Sequence, residues 1–171
     1  MKNKTIALVG NPNVGKSTVF NALTGMKQHT GNWPGKTVTN AVGHMRYKDA
    51  TFDFIDLPGA YSLDSSSPDE AVTGEYILSG QADLVLIVAD ATCLKRNLLL
   101  IKDILKVTDK AILCVNLMDE ARKKGIQLDI EKLQKLLHIP VIATVARSKE
   151  GFPQLLETLY SFSPNESSGM H

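Results

Sequence analysis

The chain has 171 residues, the length of a single domain, and 43% of them are hydrophobic and 22% charged. These proportions exclude a disordered or collagen-like chain. Lys and Arg number 19 against 18 Asp and Glu, and this balance disfavours a dedicated nucleic-acid binder. The apolar runs are far shorter than the ~20 residues of a membrane-spanning helix. Since the chain also lacks a signal-peptide pattern, we expect a cytoplasmic protein with Cys93 and Cys114 reduced.

Strand and helix patterns alternate along the first half of the chain. The apolar run 6–9 predicts a strand, and apolar residues at helical spacing predict a helix that ends at Gly25. Residues 26–40 follow neither period, so we predict a long functional loop there. Residues 42–47 and 51–56 predict a hairpin, followed by an irregular segment (57–68) and a helix (71–78).

The second half continues the alternation. Residues 84–89, 111–115 and 139–143 predict buried strands, and helical spacing recurs over 98–105, 130–137 and 152–159. The pattern predicts a three-layer α/β fold, with a mostly parallel six-stranded sheet and helices on both faces. Ligands of such sheets bind beyond the carboxyl ends of the strands, so we expect the loops there to carry the chemistry.

Residues 10–17 match the phosphate-binding pattern GxxxxGK[ST], between a strand and a helix. Gly10 and Gly15 allow backbone N–H groups to point at an anion, and the helix N-terminus adds positive charge. Lys16 is predicted to reach the outer phosphates, and the Ser17 hydroxyl to bind Mg²⁺. The predicted phosphate-binding residues are Gly10, Asn11, Pro12, Asn13, Val14, Gly15, Lys16, Ser17 and Thr18.

The pattern Asn116-Leu117-Met118-Asp119 follows the strand 111–115. Guanine presents two adjacent N–H donors that one carboxylate can accept together, and adenine lacks this pair. Asp119 is therefore predicted to read guanine while Asn116 braces the loop, although both residue types also suit an ordinary helix start. In the turn after the last strand, the Ala146 N–H is predicted to contact the base. The predicted base-binding residues are Asn116, Met118, Asp119, Val145, Ala146 and Arg147.

A further pattern, Asp56-Leu57-Pro58-Gly59, follows the strand 51–55. Asp56 is predicted to hold a Mg²⁺-bound water, and the Gly59 N–H to meet a terminal phosphate. A threonine of the loop 26–40 could complete the metal site, and the residues alone leave Thr30, Thr37 and Thr39 open.

This ordered set of motifs resembles the GTPase superfamily that includes Ras. Gly31-Asn32-Trp33-Pro34-Gly35 and the stretches 56–63 and 114–121 are similar to the N-terminal G domain of FeoB-type ferrous iron transporters, over about residues 4–162. The resemblance implies a Ras-like fold that binds GTP with Mg²⁺ and hydrolyses it to GDP. We expect residues 1–163 to form this G domain and residues 164–171 a polar, disordered tail.

The resemblance also implies roles for individual residues. Thr37 matches the threonine that ligates Mg²⁺. Asn13, with backbone carbonyls near Gly31 and Trp33, would hold an activating K⁺ ion. The catalytic residues implied are Lys16, Asn13, Thr37 and Gly59.

Two positions depart from the usual GTPase pattern. Ala60 stands where Ras-like proteins carry a water-orienting Gln, so we expect slow intrinsic hydrolysis. Val145 stands where many GTPases have Ser, so we expect the turn 145–147 to hold guanine loosely.

Relatives continue into a helical domain and a membrane iron-permease domain, which this chain lacks. The resemblance thus implies a switch that regulates ferrous iron uptake at the cytosolic face of a bacterial inner membrane, without a nucleic-acid partner. An oligomer formed through the parent protein is left open. The alternatives are an RNA- or ribosome-associated K⁺-dependent GTPase and an ATP-dependent P-loop kinase, which Asp119 disfavours. The four His residues are scattered, so we assign no iron site.

Overall fold

Seven strands form one sheet in the computed structural model of the chain, which describes residues 2–25, 28–32, 39–64 and 67–162. The strands are β1 (Lys2–Gly10), β2 (Gln28–Asn32), β3 (Thr39–Tyr47), β4 (Ala50–Asp56), β5 (Leu84–Asp90), β6 (Ala111–Asn116) and β7 (Val141–Ala143). Their order across the sheet is β2-β3-β4-β1-β5-β6-β7. The five strands from β4 to β7 in that order are parallel, β3 pairs antiparallel with β4, and β2 pairs antiparallel with β3.

Six helices in the described ranges cover the two faces of the sheet. They are α1 (Lys16–Thr24), α2 (Pro68–Ser79), α3 (Leu94–Val107), α4 (Met118–Lys123), α5 (Ile130–Leu137) and α6 (Phe152–Ser161). Successive side chains of a strand point to opposite faces, so β1 contributes to two cores. Ile6 and Leu8 pack with α1 and α6, while Ala7 and Val9 pack with α2 and α3.

The predicted three-layer α/β fold with a mostly parallel sheet is confirmed, and all six predicted strands are present. A seventh strand, β2, lies within the predicted loop 26–40, where His29 pairs with Val42 and Gly31 with Asn40. An edge strand is held by backbone hydrogen bonds to one neighbour, so β2 needs no alternating apolar pattern and the sequence gives no sign of it. Residues 26–27 and 33–38 of that segment lie outside the described residues.

The carboxyl ends of the parallel strands open on one edge of the sheet, and backbone hydrogen bonds join the loops there. The Ala60 N–H donates to the Gly10 carbonyl at 3.0 Å, which ties the loop after β4 to the loop after β1. The Met118 N–H donates to the Thr144 carbonyl at 3.2 Å, which ties the loops after β6 and β7. The predicted motifs therefore come together. Within the described ranges, no helix has the length and apolar character needed to cross a bilayer.

Candidate functional site

The loop between β1 and α1 turns back on itself through two residues with left-handed backbone conformations. Asn13 has φ +69° and Gly15 has φ +82°. A Cβ atom at Gly15 would lie 2.5 Å from Asn116 Nδ2, and one at Gly10 would lie 2.6 Å from the Val88 carbonyl oxygen. Only glycine fits at either place without moving its neighbour. The chain can therefore pass directly from β1 into the N-terminus of α1.

A cavity of about 470 Å³ opens beside this loop. The first two residues of α1, Lys16 and Ser17, contribute to its wall, so the positive end of this nine-residue helix faces the space. Such a position suits an anion. The full lining is Asn11, Pro12, Asn13, Gly15, Lys16, Ser17, Gly59 and Asp69.

The Lys16 ammonium group contacts the Asp56 carboxylate. Both side chains are largely buried, with 13% and 18% of their surfaces exposed. The pair places a cation and a carboxylate side by side, and Ser17 follows Lys16 along the wall of the same cavity. Oxygen donors of this kind are the ligands that Mg²⁺ prefers. In the described residues, no group of three or more His, Cys, Asp or Glu side chains could hold a metal ion.

The segment 57–60 lies directly against the phosphate loop. The Leu57 N–H donates to the Leu8 carbonyl at 3.0 Å, so the segment continues along β1 before it leaves the sheet. A Cβ atom at Gly59 would approach Pro12 Cγ to 3.2 Å, tighter than most side-chain contacts. The Gly59 backbone is thus held at the wall of the phosphate cavity. The Ala60 methyl group is fully buried in the core on the α2–α3 side.

Two carboxylates fix the next residues of this segment to α2 and α3. Glu70 Oε2 accepts hydrogen bonds from the Tyr61 and Ser62 N–H groups at 3.2 and 3.1 Å. Asp103 Oδ2 accepts one from the Leu63 N–H at 3.1 Å. The backbone of residues 61–63 is therefore anchored to α2 and α3 through side-chain carboxylates.

A second cavity, of about 230 Å³, shares Gly15 with the first. The two cavities thus meet at the phosphate loop. The lining of the second consists of Gly15, Thr18, Asn116, Leu117, Asp119, Glu120, Val145, Ala146 and Arg147.

Asn116 connects three loops at this cavity and is only 1% exposed. Its Nδ2 donates to the Val14 carbonyl at 3.3 Å. Its Oδ1 accepts from the Ala146 N–H at 3.0 Å and from the Thr144 hydroxyl at 3.1 Å. Asn116 therefore fixes the phosphate loop relative to the turn 145–147. Thr144 has no role in the sequence prediction, and its only signal is that it directly follows a buried strand.

Asp119 presents a buried oxygen without a partner. Its Oδ2 accepts a hydrogen bond from an Arg147 guanidinium nitrogen at 2.9 Å, whereas its Oδ1 has no hydrogen-bond partner in the described part of the chain. A buried acceptor left unpaired costs about 1–3 kcal/mol. Because the carboxylate lines the cavity, an N–H donor of a ligand there would remove this cost. Guanine, with its paired N1 and 2-amino donors, fits this requirement.

The remaining predicted residues have different positions. Thr18, Val145, Ala146 and Arg147 line the second cavity. The half-buried Met118 side chain packs against the core. Asn11 is buried, and its amide nitrogen donates to the Arg96 carbonyl at 3.4 Å. Gly31 lies in β2, and Thr37 and Trp33 fall outside the described residues.

Three residues that the sequence analysis did not select line the cavities. Leu117 and Glu120 belong to the second cavity, and their proximity to the predicted Asp119 was the available signal. Asp69 reaches the first cavity from the start of α2, and no sequence pattern indicates this.

Two other features lie apart from these motifs. A cavity of about 530 Å³ includes residues of α5 and α6 and shares no lining residue with either of the two described above.

Burial raises the pKa of the Cys114 thiol to about 12, against a smaller lowering by the Thr144 hydrogen bond, so this cysteine is a protonated core residue.

Sequence comparisons connect the chain to iron transporters. The family model for ferrous iron transport protein B matches residues 4–159. The Fe(2+) transporter FeoB of Escherichia coli (strain K12) is 41% identical over 171 residues, 98% of this chain and 22% of the transporter. The chain thus spans about a fifth of the length of this relative.

Structural comparisons give the same relationship. The G domain of the T. maritima FeoB iron transporter superposes with a TM-score of 0.88 at 46% identity, covering 92% of this chain and 97% of that one. The cytosolic domain of the same transporter in a GDP form gives a TM-score of 0.92 at 44% identity, over 96% of this chain and 65% of that one. Its GMPPNP form gives 0.90 at 46% identity, over 95% and 65%.

Proposed function

Because the chain belongs to the ferrous iron transport protein B family, we propose that it is a GTP-binding switch domain that hydrolyses GTP to GDP and regulates ferrous iron uptake. The observation that carries the nucleotide assignment is the buried Asp119 Oδ1, which has no partner among the described residues and lies in a cavity that meets the phosphate loop at Gly15. A guanine nucleotide has a base at one end and phosphates at the other, which matches two adjoining cavities with these linings. The GDP and GMPPNP forms of the related cytosolic domain support the same assignment.

The phosphate end of the proposed site combines three groups of this chain. Lys16 would exchange its contact with Asp56 for phosphate oxygens, which frees the carboxylate to hold a metal-bound water. Ser17 and Asp56 would hold Mg²⁺ together with the phosphates, and Thr37 is proposed as a further ligand. When bound, Mg²⁺ would neutralise phosphate charge. The Gly59 N–H would meet the terminal phosphate, which makes the segment 57–64 sensitive to the presence of that phosphate.

Hydrolysis by this chain is proposed to be slow and K⁺-assisted. The Ala60 methyl group is fully buried and carries no polar atom, so it cannot orient a water molecule. Asn13 lines the phosphate cavity and is exposed, and its side-chain amide carries an oxygen, the kind of atom that ligates cations. A K⁺ ion held by Asn13, with carbonyls near Gly31 and Trp33, would offset charge that develops on the phosphates.

The role in iron uptake rests on the family. Since the chain spans only 22% of the E. coli transporter, we propose that residues 1–163 act as the G domain of, or the partner to, a membrane iron permease. The nucleotide site would then face the cytosol. Nucleotide-dependent release of residues 61–63 from Glu70 and Asp103 offers one way to transmit the state of the site.

Nucleotide choice is the first test. Titration calorimetry with Mg²⁺ should show binding of GDP and the GTP analogue GMPPNP, with much weaker binding of ADP. Asp119→Asn should weaken GDP binding at least tenfold, because a charged bidentate contact is replaced by one that repels a donor. Asp109→Asn makes the same chemical change at an exposed position and should leave the affinity unchanged. Equal affinity for ADP and GDP would refute the assignment.

Phosphate release is the second test. GTP turnover should be faster in KCl than in NaCl at equal ionic strength, and Asn13→Ala should remove the difference. Lys16→Ala should abolish turnover in both salts, since it removes the cation of the phosphate site. Equal wild-type rates in the two salts would eliminate the K⁺ proposal while leaving guanine binding intact.

A further inference from the structure

The turn that closes the base cavity offers Asp119 no hydrogen-bond donor from position 145. Val145 is 5% exposed, and its side chain carries no polar atom. Its backbone N–H is already used, because it donates to the Glu150 carbonyl at 3.0 Å. A carboxylate that must accept two donors in one plane needs something to hold its orientation. A group other than Val145 must therefore fix the orientation of the Asp119 carboxylate.

Arg147 makes such a contact with the Asp119 carboxylate. Its guanidinium donates to Asp119 Oδ2 at 2.9 Å, while Asp119 Oδ1 stays buried and unpartnered within the described residues. The side chain of Asp119 is 23% exposed and that of Arg147 is 76% exposed, so the arginine approaches the carboxylate from the solvent side. The approach leaves the buried oxygen for a ligand.

We infer that Arg147 is a positioning residue for guanine, which fixes the plane of the Asp119 carboxylate so that both of its oxygens can accept the N1 and 2-amino hydrogens. The inference rests on the proposed guanine site and names a residue that determines its specificity. A carboxylate oxygen has two lone pairs, so Oδ2 can keep the arginine while it accepts a base donor. The second hydrogen bond to the base depends most on this orientation. A carboxylate that rotates can still accept one donor, but it can accept two adjacent donors only when its plane is fixed.

Arg122 provides a matched control on the same face of the molecule. It forms an ion pair with Glu150 at 2.6 Å and, in the part of the chain that the structure describes, has no hydrogen bond to Asp119. The hydrogen bond and charge of Glu150, and then the charge of Asp119, raise the pKa of the Arg122 guanidinium, so Arg122 is also a cation near the carboxylate. Arg122→Ala therefore removes a nearby positive charge without removing the positioning contact.

The test compares GDP with inosine diphosphate, which lacks the 2-amino group, by calorimetry in Mg²⁺ buffer. Arg147→Ala should weaken GDP binding about fivefold, the size expected for a largely exposed ion pair. The affinity for inosine diphosphate should fall less than about twofold, so the ratio of the affinities for GDP and inosine diphosphate becomes smaller. Arg147→Lys should restore part of the preference, because it returns one donor. Arg122→Ala should keep the wild-type preference.

Each other result counts against the inference. If Arg147→Ala weakens both nucleotides equally, the arginine has a general structural or electrostatic role. If it leaves GDP binding unchanged or strengthens it, the arginine is a bystander or a competitor of the base. Wild-type protein that binds neither nucleotide would instead refute the guanine site itself, and the two failures are thus distinguishable.

Discussion

Gly15→Ala tests how the phosphate loop and the base loop are joined. The backbone of Gly15 has φ +82°, where a side chain costs about 1–2 kcal/mol. The new Cβ would lie 2.5 Å from Asn116 Nδ2, so the buried amide must move. Asn116 makes hydrogen bonds at 3.3, 3.0 and 3.1 Å, and the loss of two of them at about 1 kcal/mol each adds ~2 kcal/mol. We expect a destabilisation of about 3–4 kcal/mol in urea unfolding.

Gly80→Ala is the matched control for this prediction. Gly80 has φ +72°, and a Cβ there would meet no atom within 4 Å. In this variant the free energy of unfolding should fall only by the backbone cost of a side chain at positive φ, about 1–2 kcal/mol. GDP affinity should fall in Gly15→Ala and stay at the wild-type value in Gly80→Ala. If the two variants lose equal stability, Asn116 does not depend on the space at Gly15 and the reasoning is refuted.

Three further predictions concern other parts of the molecule. Above pH 9.0 the unfolded Cys114 thiol ionises while burial raises the pKa in the folded state to about 12. Stability should therefore fall as pH rises from 9 towards 12, by about 1 kcal/mol at pH 10, and urea unfolding of Cys114→Ala should lack this component. Glu70→Ala should speed hydrogen exchange at the Tyr61 and Ser62 amides without affecting β5; unchanged rates would show that Glu70 does not anchor them. Leu155→Ala, fully buried in the α1–α6 core, should lower the unfolding free energy by about 2–5 kcal/mol, and a loss below 1 kcal/mol would contradict its core position.

The sequence predicts the fold well because its signals are local. Buried parallel strands such as 84–89 are continuous apolar runs, and the motifs at 10–17 and 116–119 each directly follow such a run. The position of a motif after a strand is enough to place it at the carboxyl edge of the sheet. The glycines at positions 10 and 15 likewise follow from a local requirement, since the chain must turn sharply between β1 and α1.

The relative position of the loops is decided by tertiary structure. Asn116 contacts the Val14 carbonyl across 102 residues of chain, and Arg147 contacts Asp119 across 28, distances over which periodicity carries no information. The edge strand β2 is another example, since it is held to the sheet by backbone pairing with β3. The sequence by itself determined which residues could bind phosphate and a base. Only the packing of the sheet decided that Arg147 holds one Asp119 oxygen while the other is buried without a partner from the residues that the structure describes, because this depends on how closely two separate turns approach.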